Sequence, residues 1–400
     1  MRKCTALCLL IVSFLWTFRP EARAVTLRTV SCFAGADAAA GAYVEILKDY
    51  EQRTGNTVED RSATSDEAWK ASVIFDFAAG NEPDVLFYFA ARADSAPILY
   101  KVVPIDEINA AYPALHLPEN PALTESDGHT YAIPVRGYWE GLFVNTDLFA
   151  EYGLPLPDTW EHLEEAIAGF REAGVVPIAI SLSDIPHYLA EFALIACGGE
   201  AALRARPQST GEVPESWIEA MRLIRHLWEL GAFAENAAYT DEASASALFS
   251  TRRAAMKIDG SWFANMIDPT RMEATQVLPV PAYAPEGGGV VVGGISMGFY
   301  LTRRAWEDRA RREAAVDLFA SLTGEENRIR FGGYEYTGAL LESALRLTNG
   351  ANVMVSPLQD AMSREAREAW LLGCLPSLAQ GHMSVEELWE RVMALSPFAN

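Results

Sequence analysis

YAIPVRGYWEGLFVNTDLFAEYGLPLPDTWEHL, residues Tyr131 to Leu163, decides how the rest of the chain is read. It opens on an extended apolar run, Tyr131 to Val135, and passes into a polar-aromatic cluster of Arg136, Tyr138, Trp139 and Glu140. A second strand-like run, Leu142 to Asn145, follows, and then a helix start. Pro157 sets the turn there, and Asp158 or Thr159 caps the first free amides of a helix beginning near Trp160. Glu161 stands three residues after Asp158, at capping-box spacing. Strand, polar-aromatic cluster and capped helix in succession describe a chain leaving one domain for another beside a cleft.

Upstream, Leu27–Phe33 reads as a buried strand, and Ala38–Arg53 as a helix with Tyr43, Val44, Ile46, Leu47 and Tyr50 on one face. Thr57–Glu59, Glu67–Ala79 and Pro83–Phe89 continue as strand, helix and apolar strand. That alternation predicts a parallel sheet wrapped by helices, with ligand at the carboxyl ends of its strands. Downstream, Trp160–Ala173, Pro186–Ala196 and Pro214–Leu230 are helical by periodicity. A short strand, Ala254–Ile258, leads into Asp259-Gly260-Ser261-Trp262. Val277–Pro281 reads as a return crossing, Val290–Leu301 as a strand, and the chain after about Glu325 as helical.

Four hundred residues predict two domains. At the N-terminus Arg2-Lys3, an apolar run from Thr5 to Phe18, and Ala22-Arg23-Ala24 predict a secretory signal cleaved after Ala24. Residues 1–24 carry four basic residues and one acidic one, so their removal takes the net charge from −22 to −25. Such a balance excludes a broad basic face for nucleic acid or anionic lipid. Of the remaining cysteines, Cys32, Cys197 and Cys374, an oxidising compartment permits one disulfide, and the sequence does not choose the pair. The six histidines are scattered with no zinc spacing, no serine-hydrolase elbow occurs, and Gly287-Gly288-Gly289 lacks a phosphate-loop ending and reads as a flexible connector. No two carboxylates stand out as a glycosidase acid and nucleophile. No metal or cofactor is expected.

Several motifs resemble those of the family 1 extracellular solute-binding proteins of ABC importers, the maltose-binding-like group. They are Pro134, Asn145, Asp147-Leu148 and Pro157-x-Thr159-Trp160 in the opening stretch, and Gly80-x-x-Pro83-Asp84-Val85. Met256 with Gly260-Ser261-Trp262 and the late block Gly293-Gly294, Glu313-Ala314-Ala315 and Glu325-Glu326 complete the set. Val144 and His162 depart from the family pattern outside the cleft. The resemblance implies an α/β fold of two lobes joined by crossing strands, with a sugar or other solute between them. Lobe one is expected to hold 25–133 and 278–324, and lobe two 134–277 and 325–400. It implies a periplasmic, non-enzymatic monomer that delivers its ligand to the transmembrane subunits of a permease. A ferric-ion or polyamine binder on the same scaffold is an alternative, with Tyr334 and Tyr336 as iron ligands, and a secreted glycoside hydrolase is another.

A sugar ring presents an apolar face and an equator of hydroxyls, so its site combines flat aromatic platforms with fixed polar groups. The resemblance places Tyr88 and Tyr188 at stacking positions, Arg92 at a hydroxyl-binding one and Tyr138 at a ligand contact flanked by Trp139 and Glu140. Trp262, emerging after Gly260-Ser261, is expected to stack on the ring. Asp37, in the loop after the first strand, is expected as a hydroxyl partner, and Trp370 is expected to close the site from one side.

Overall fold

Residues 25 to 89 fold as their periodicity predicts. In the computed structural model, which describes residues 24–398 apart from 36, 38, 66, 91–94, 333–335, 350 and 351, three strands alternate with two helices. These are β1 (Thr26–Val30), the helix Ala40–Thr54, β2 (Thr57–Asp60), the helix Glu67–Ala79 and β3 (Val85–Phe89). β1 pairs in parallel with both β2 and β3, the arrangement that helical crossovers permit. The first helix buries Tyr43, Ile46, Leu47 and Tyr50 and ends on Gly55 in the left-handed conformation, whose N–H donates to the Glu51 carbonyl. Val44, expected on the same face, is exposed.

The opening stretch forms a single strand, β4 (Ile133–Asn145), where two separate runs were expected. β5 (Val176–Ala179), β6 (Ala254–Gly260), β7 (Thr275–Leu278), β8 (Val290–Leu301) and β9 (Val353–Val355) complete the set. The order across the sheet is β2-β1-β3-β8-β4-β6-β5, with β7 also on β4 and β9 on β8. Two strands tie everything together. β4 pairs with β8 over Ile133–Trp139 and then with β6 from Glu140 and β7 from Leu142. β8 runs beside β9 at Val290–Val292, beside β4 through its middle, and beside β3 at Met297–Leu301.

Two large hydrophobic cores lie on either side of this pair. One contains Leu27, Tyr43, Phe87, Ile133, Phe299 and Phe319. The other contains Leu142, Trp160, Phe192, Trp217, Met256 and Trp389. Val290 and Val292 belong to the second core and Met297, Phe299 and Leu301 to the first, so β8 passes from one to the other within a few residues. The molecule is thus a mixed α/β fold of two lobes. Of the two residues expected to cap the helix Trp160–Glu172, Thr159 does so by accepting from the His162 N–H. Cys32, Cys197 and Cys374 are all buried and free. Among the described residues no helix is long and apolar enough to cross a membrane.

The glycine run expected as a flexible connector is a docked segment. The helix His187–Arg204 is broken at Gly199, which sits at φ 51° and ψ −139°. A break of that kind leaves carbonyls in the preceding turn without helical donors. Tyr283 and Ala284 donate their N–H groups to the Ala196 carbonyl, and Gly288 donates to Ile195. The loop therefore fills the gap in the helix. Gly287 makes this approach possible, since a Cβ there would lie 1.9 Å from the Ala196 oxygen. Gly287→Ala must push the loop off the helix and is expected to lower stability by about 2–3 kcal/mol, the scale of an overpacked site. Urea unfolding of the variant checks it.

Candidate functional site

Side chains alternate across a strand, so Tyr138 and Glu140 face one side of β4 and Trp139 the other. Trp139 is buried against Phe143, with ring centroids 5.7 Å apart, and edge-on to Tyr336. Glu140 stands opposite Gly260, the last residue of β6. The chain then turns, and Trp262 folds back over that glycine. A Cβ at Gly260 would lie 2.1 Å from the indole Cζ2, so only glycine lets the ring seat there. Trp262 keeps 36% of its surface exposed, with Tyr138 on one side at 6.0 Å and Tyr188 on the other at 6.1 Å between ring centroids. The interplanar angles are 31° and 33°. Three rings so grouped make an aromatic wall whose exposed face is mainly that of Trp262, since Tyr188 is buried.

Tyr188 belongs to the first turn of the helix His187–Arg204, and Glu191 follows it by three residues on the same face. Glu191 is 2% exposed. Its carboxyl meets that of Glu140, with Asp360 close to both. Burial pushes the Glu140 carboxyl up to about 8, and Asp259 and Asp360 add to the shift while the Glu191 contact opposes it. Glu191 is raised well above the carboxylate range, again mainly by burial. Asp259, at the end of β6, is pushed up to about 7 by burial against the pull of Lys257. Lys257 has no exposed surface and reaches Glu242 at 2.9 Å and Asp259 at 3.1 Å. Beside this group a cavity of about 420 Å³ opens between the two cores. Leu123 and Glu125 line one side, Tyr138, Pro357 and Asp360 the other, and Gly294 of β8 lies between.

Glu140 titrates with a measurable consequence. Its folded pKa of about 8 exceeds the ~4.3 of an unfolded glutamate, so between those values the folded state binds the extra proton. Stability therefore declines as pH rises from about 4 to about 8. Glu140→Gln removes the Glu140 share of the decline and leaves those of Glu191 and Asp259. It is expected to exceed wild type in apo stability by about 2 kcal/mol at pH 8.5, allowing for the solvent the side chain still sees, and to match it near pH 4. Thermal unfolding across that range checks it.

Of the residues singled out from sequence, the fold gathers Tyr138, Glu140, Tyr188 and Trp262. Trp139 is turned away by strand alternation. Tyr88 has no exposed surface; it packs on Trp69 with centroids 5.5 Å apart, inside the first core. Asp37 is occupied by Arg136, which donates to both its oxygens at 2.8 and 3.1 Å. Trp370 is 1% exposed and stacks near Trp389 within the second core. Arg92 and Tyr334 lie outside the described residues, as does the N-terminal segment through residue 23. Tyr336 sits against Trp139, and among the described residues no group of three or more histidine, cysteine or acidic side chains is placed to hold a metal. The acidic residues Glu191, Asp259 and Asp360 were missed. Glu191 carried a signal: it is the lone charge in the apolar run from Tyr188 to Gly199, where an unpaired carboxylate is expensive.

Residues 35–329 match the family of bacterial extracellular solute-binding proteins. The chain belongs to that family. No curated protein matches it by sequence. Among solved structures, a chitin oligosaccharide binding protein superposes with a TM-score of 0.76 at 19% identity, over 93% of this chain and 98% of that one. A protein studied for xylan utilization by Caldanaerobius polysaccharolyticus gives 0.75 at 21% identity, over 92% and 99%. The GacH receptor of Streptomyces glaucescens, solved unliganded and with acarbose, gives 0.71 at 16% identity, over 94% and 100%. At these identities the similarity establishes that this solute-binding protein shares their fold.

Proposed function

We propose that this solute-binding protein captures a sugar or oligosaccharide between its lobes and hands it to the transmembrane subunits of an ABC importer. One observation carries the reading. Trp262 stands exposed between Tyr138 and Tyr188 at the junction of the two cores, and a flat aromatic surface beside carboxylates suits the apolar face and hydroxyl rim of a sugar ring. The saccharide ligands named for its structural neighbours support it. In this reading the protein is a periplasmic monomer, released after Ala24, that catalyses nothing.

The lobes divide where β4 and β8 change partners. Lobe one holds about 25–133 with the end of β8 and the helices to about residue 324, and lobe two the remainder. The return crossing expected at Leu278–Pro279 moves to β8 in this reading, because Val280, Val290 and Val292 pack with the second core. Hinge motion about these two strands closes the cleft, and ligand favours closure by touching both sides. A thermal-shift screen against saccharides tests the proposal: ligand at 100 times its dissociation constant adds about 2.7 kcal/mol of stability. Small-angle scattering with the best ligand should then show a smaller radius of gyration. A screen without a responding saccharide refutes the reading.

A further inference from the structure

Neither oxygen of Glu191 accepts a well-formed hydrogen bond, although the side chain is almost wholly buried, and the one donor acting on it is the Leu358 backbone N–H. Buried carboxylates ordinarily find donors or a cation, because desolvating the charge is otherwise prohibitive. The Glu140 carboxyl lies against it, but two ionised carboxylates offer no proton to each other. Their contact becomes a hydrogen bond only while one of them is protonated. The charged groups acting on this pair are acidic: Asp259 and Asp360 on Glu140, and Asp360 on Glu191, with the Leu358 backbone N–H as the one opposing dipole. The buried cation of β6, Lys257, is already held by Glu242 and Asp259. The Tyr138 and Tyr188 hydroxyls, held protonated by burial and by these same carboxylates, add no positive charge.

The pair also sits where a ligand would be. Glu140 is opposite the glycine on which Trp262 rests. Tyr138 precedes Glu140 on the same strand face, and Tyr188 precedes Glu191 on the same helix face, so the carboxyls and the rings belong to the same two faces. Electron-rich ring faces favour a cation as well as a sugar's C–H groups. Resting on the saccharide reading above, we propose that the ligand is a saccharide bearing a positively charged amino group, its ring laid on Trp262 and its ammonium taken up between Glu140 and Glu191. A linear polyamine shares the charge, but the broad wall of three tilted rings fits a ring face better than a chain.

The test uses pairs of saccharides that differ at one substituent: glucosamine and glucose, galactosamine and galactose, and the β-1,4 glucosamine trimer with cellotriose. They are titrated calorimetrically into the full-length secreted protein at pH 6.5, with spermidine as a further probe. The amino member of a responding pair should bind about tenfold or more tightly than its hydroxyl partner, the scale of a charge-assisted hydrogen bond. Glu191→Gln should collapse that ratio towards one. Glu140→Gln should do the same, and the apo unfolding of both variants establishes that they are folded. A hydroxyl member binding as well as its amino partner overturns the proposal and leaves the saccharide reading standing. A preference that survives both substitutions also overturns it. Binding of spermidine with no response to any saccharide, or no response to any probe, removes both.

Discussion

Trp370→Ala is expected to lower the stability of the apo protein by about 3–5 kcal/mol, the loss of a large aromatic from a packed core. Saccharide affinity should stay within about twofold of wild type, as for a site remote from the substitution. Trp370 lies 5.6 Å from Trp389, which in turn lies 5.0 Å from Trp217, and all three are fully enclosed. The surrounding helices are held from several directions and cannot collapse into the space left behind. The Trp370 indole N–H has no acceptor, so Trp370→Phe, which keeps an aromatic ring and removes the orphaned donor, should cost only about 1–2 kcal/mol. Denaturant unfolding of the two variants, with titration of ligand below their midpoints, checks both halves. Loss of affinity without loss of stability would return Trp370 to the site.

Trp262→Ala is expected to show the opposite pairing. Affinity should fall by about 2–4 kcal/mol, roughly thirtyfold to a thousandfold, as for the central aromatic of a binding site. Apo stability should change by only about 1 kcal/mol, since the indole is over a third exposed and rests on a glycine rather than filling a cavity. Gly260→Ala gives an independent route to the same result, because the added methyl takes the space the ring occupies. Wild-type affinity in Trp262→Ala would remove the wall from the binding reaction.

What could be read from the sequence, and what could not, follows from the range of each interaction. The first five elements were legible because apolar spacing and Gly55 report local geometry. The Thr159 cap was legible for the same reason. The opening stretch was read as two runs because Arg136, Tyr138 and Glu140 look like a break. In the folded chain Arg136 sits at a bulge within one long strand, Tyr138 and Glu140 share a face beyond it, and alternation separates Trp139 from both. Tyr88 and Trp370 looked like platforms because an aromatic near a segment end is ambiguous until both faces of its element are known. β3 is covered on both faces, and Trp370 lies on the buried face of a helical turn whose other face, with Leu372, is exposed. The docking of residues 283–288 into the broken helix joins segments almost a hundred residues apart, and no local pattern announces it. Glu191 was visible as an anomaly in an apolar run, but its partner Glu140 lies on a distant strand.

β3 and the end of β8 are neighbours in the sheet, paired from Val85 with Leu301 to Phe89 with Met297. More than two hundred residues of chain separate them. At about 5–20 residues per second of synthesis, β3 waits roughly 10–40 s for the strand that covers its edge. Throughout that interval the first core has Ile98, Ile105 and Ile133 but still lacks Met297, Phe299 and Leu301 of β8. A growing chain of this design carries β3 with one edge unpaired for most of its synthesis. Placing the closing strand late in the chain postpones completion of the first core.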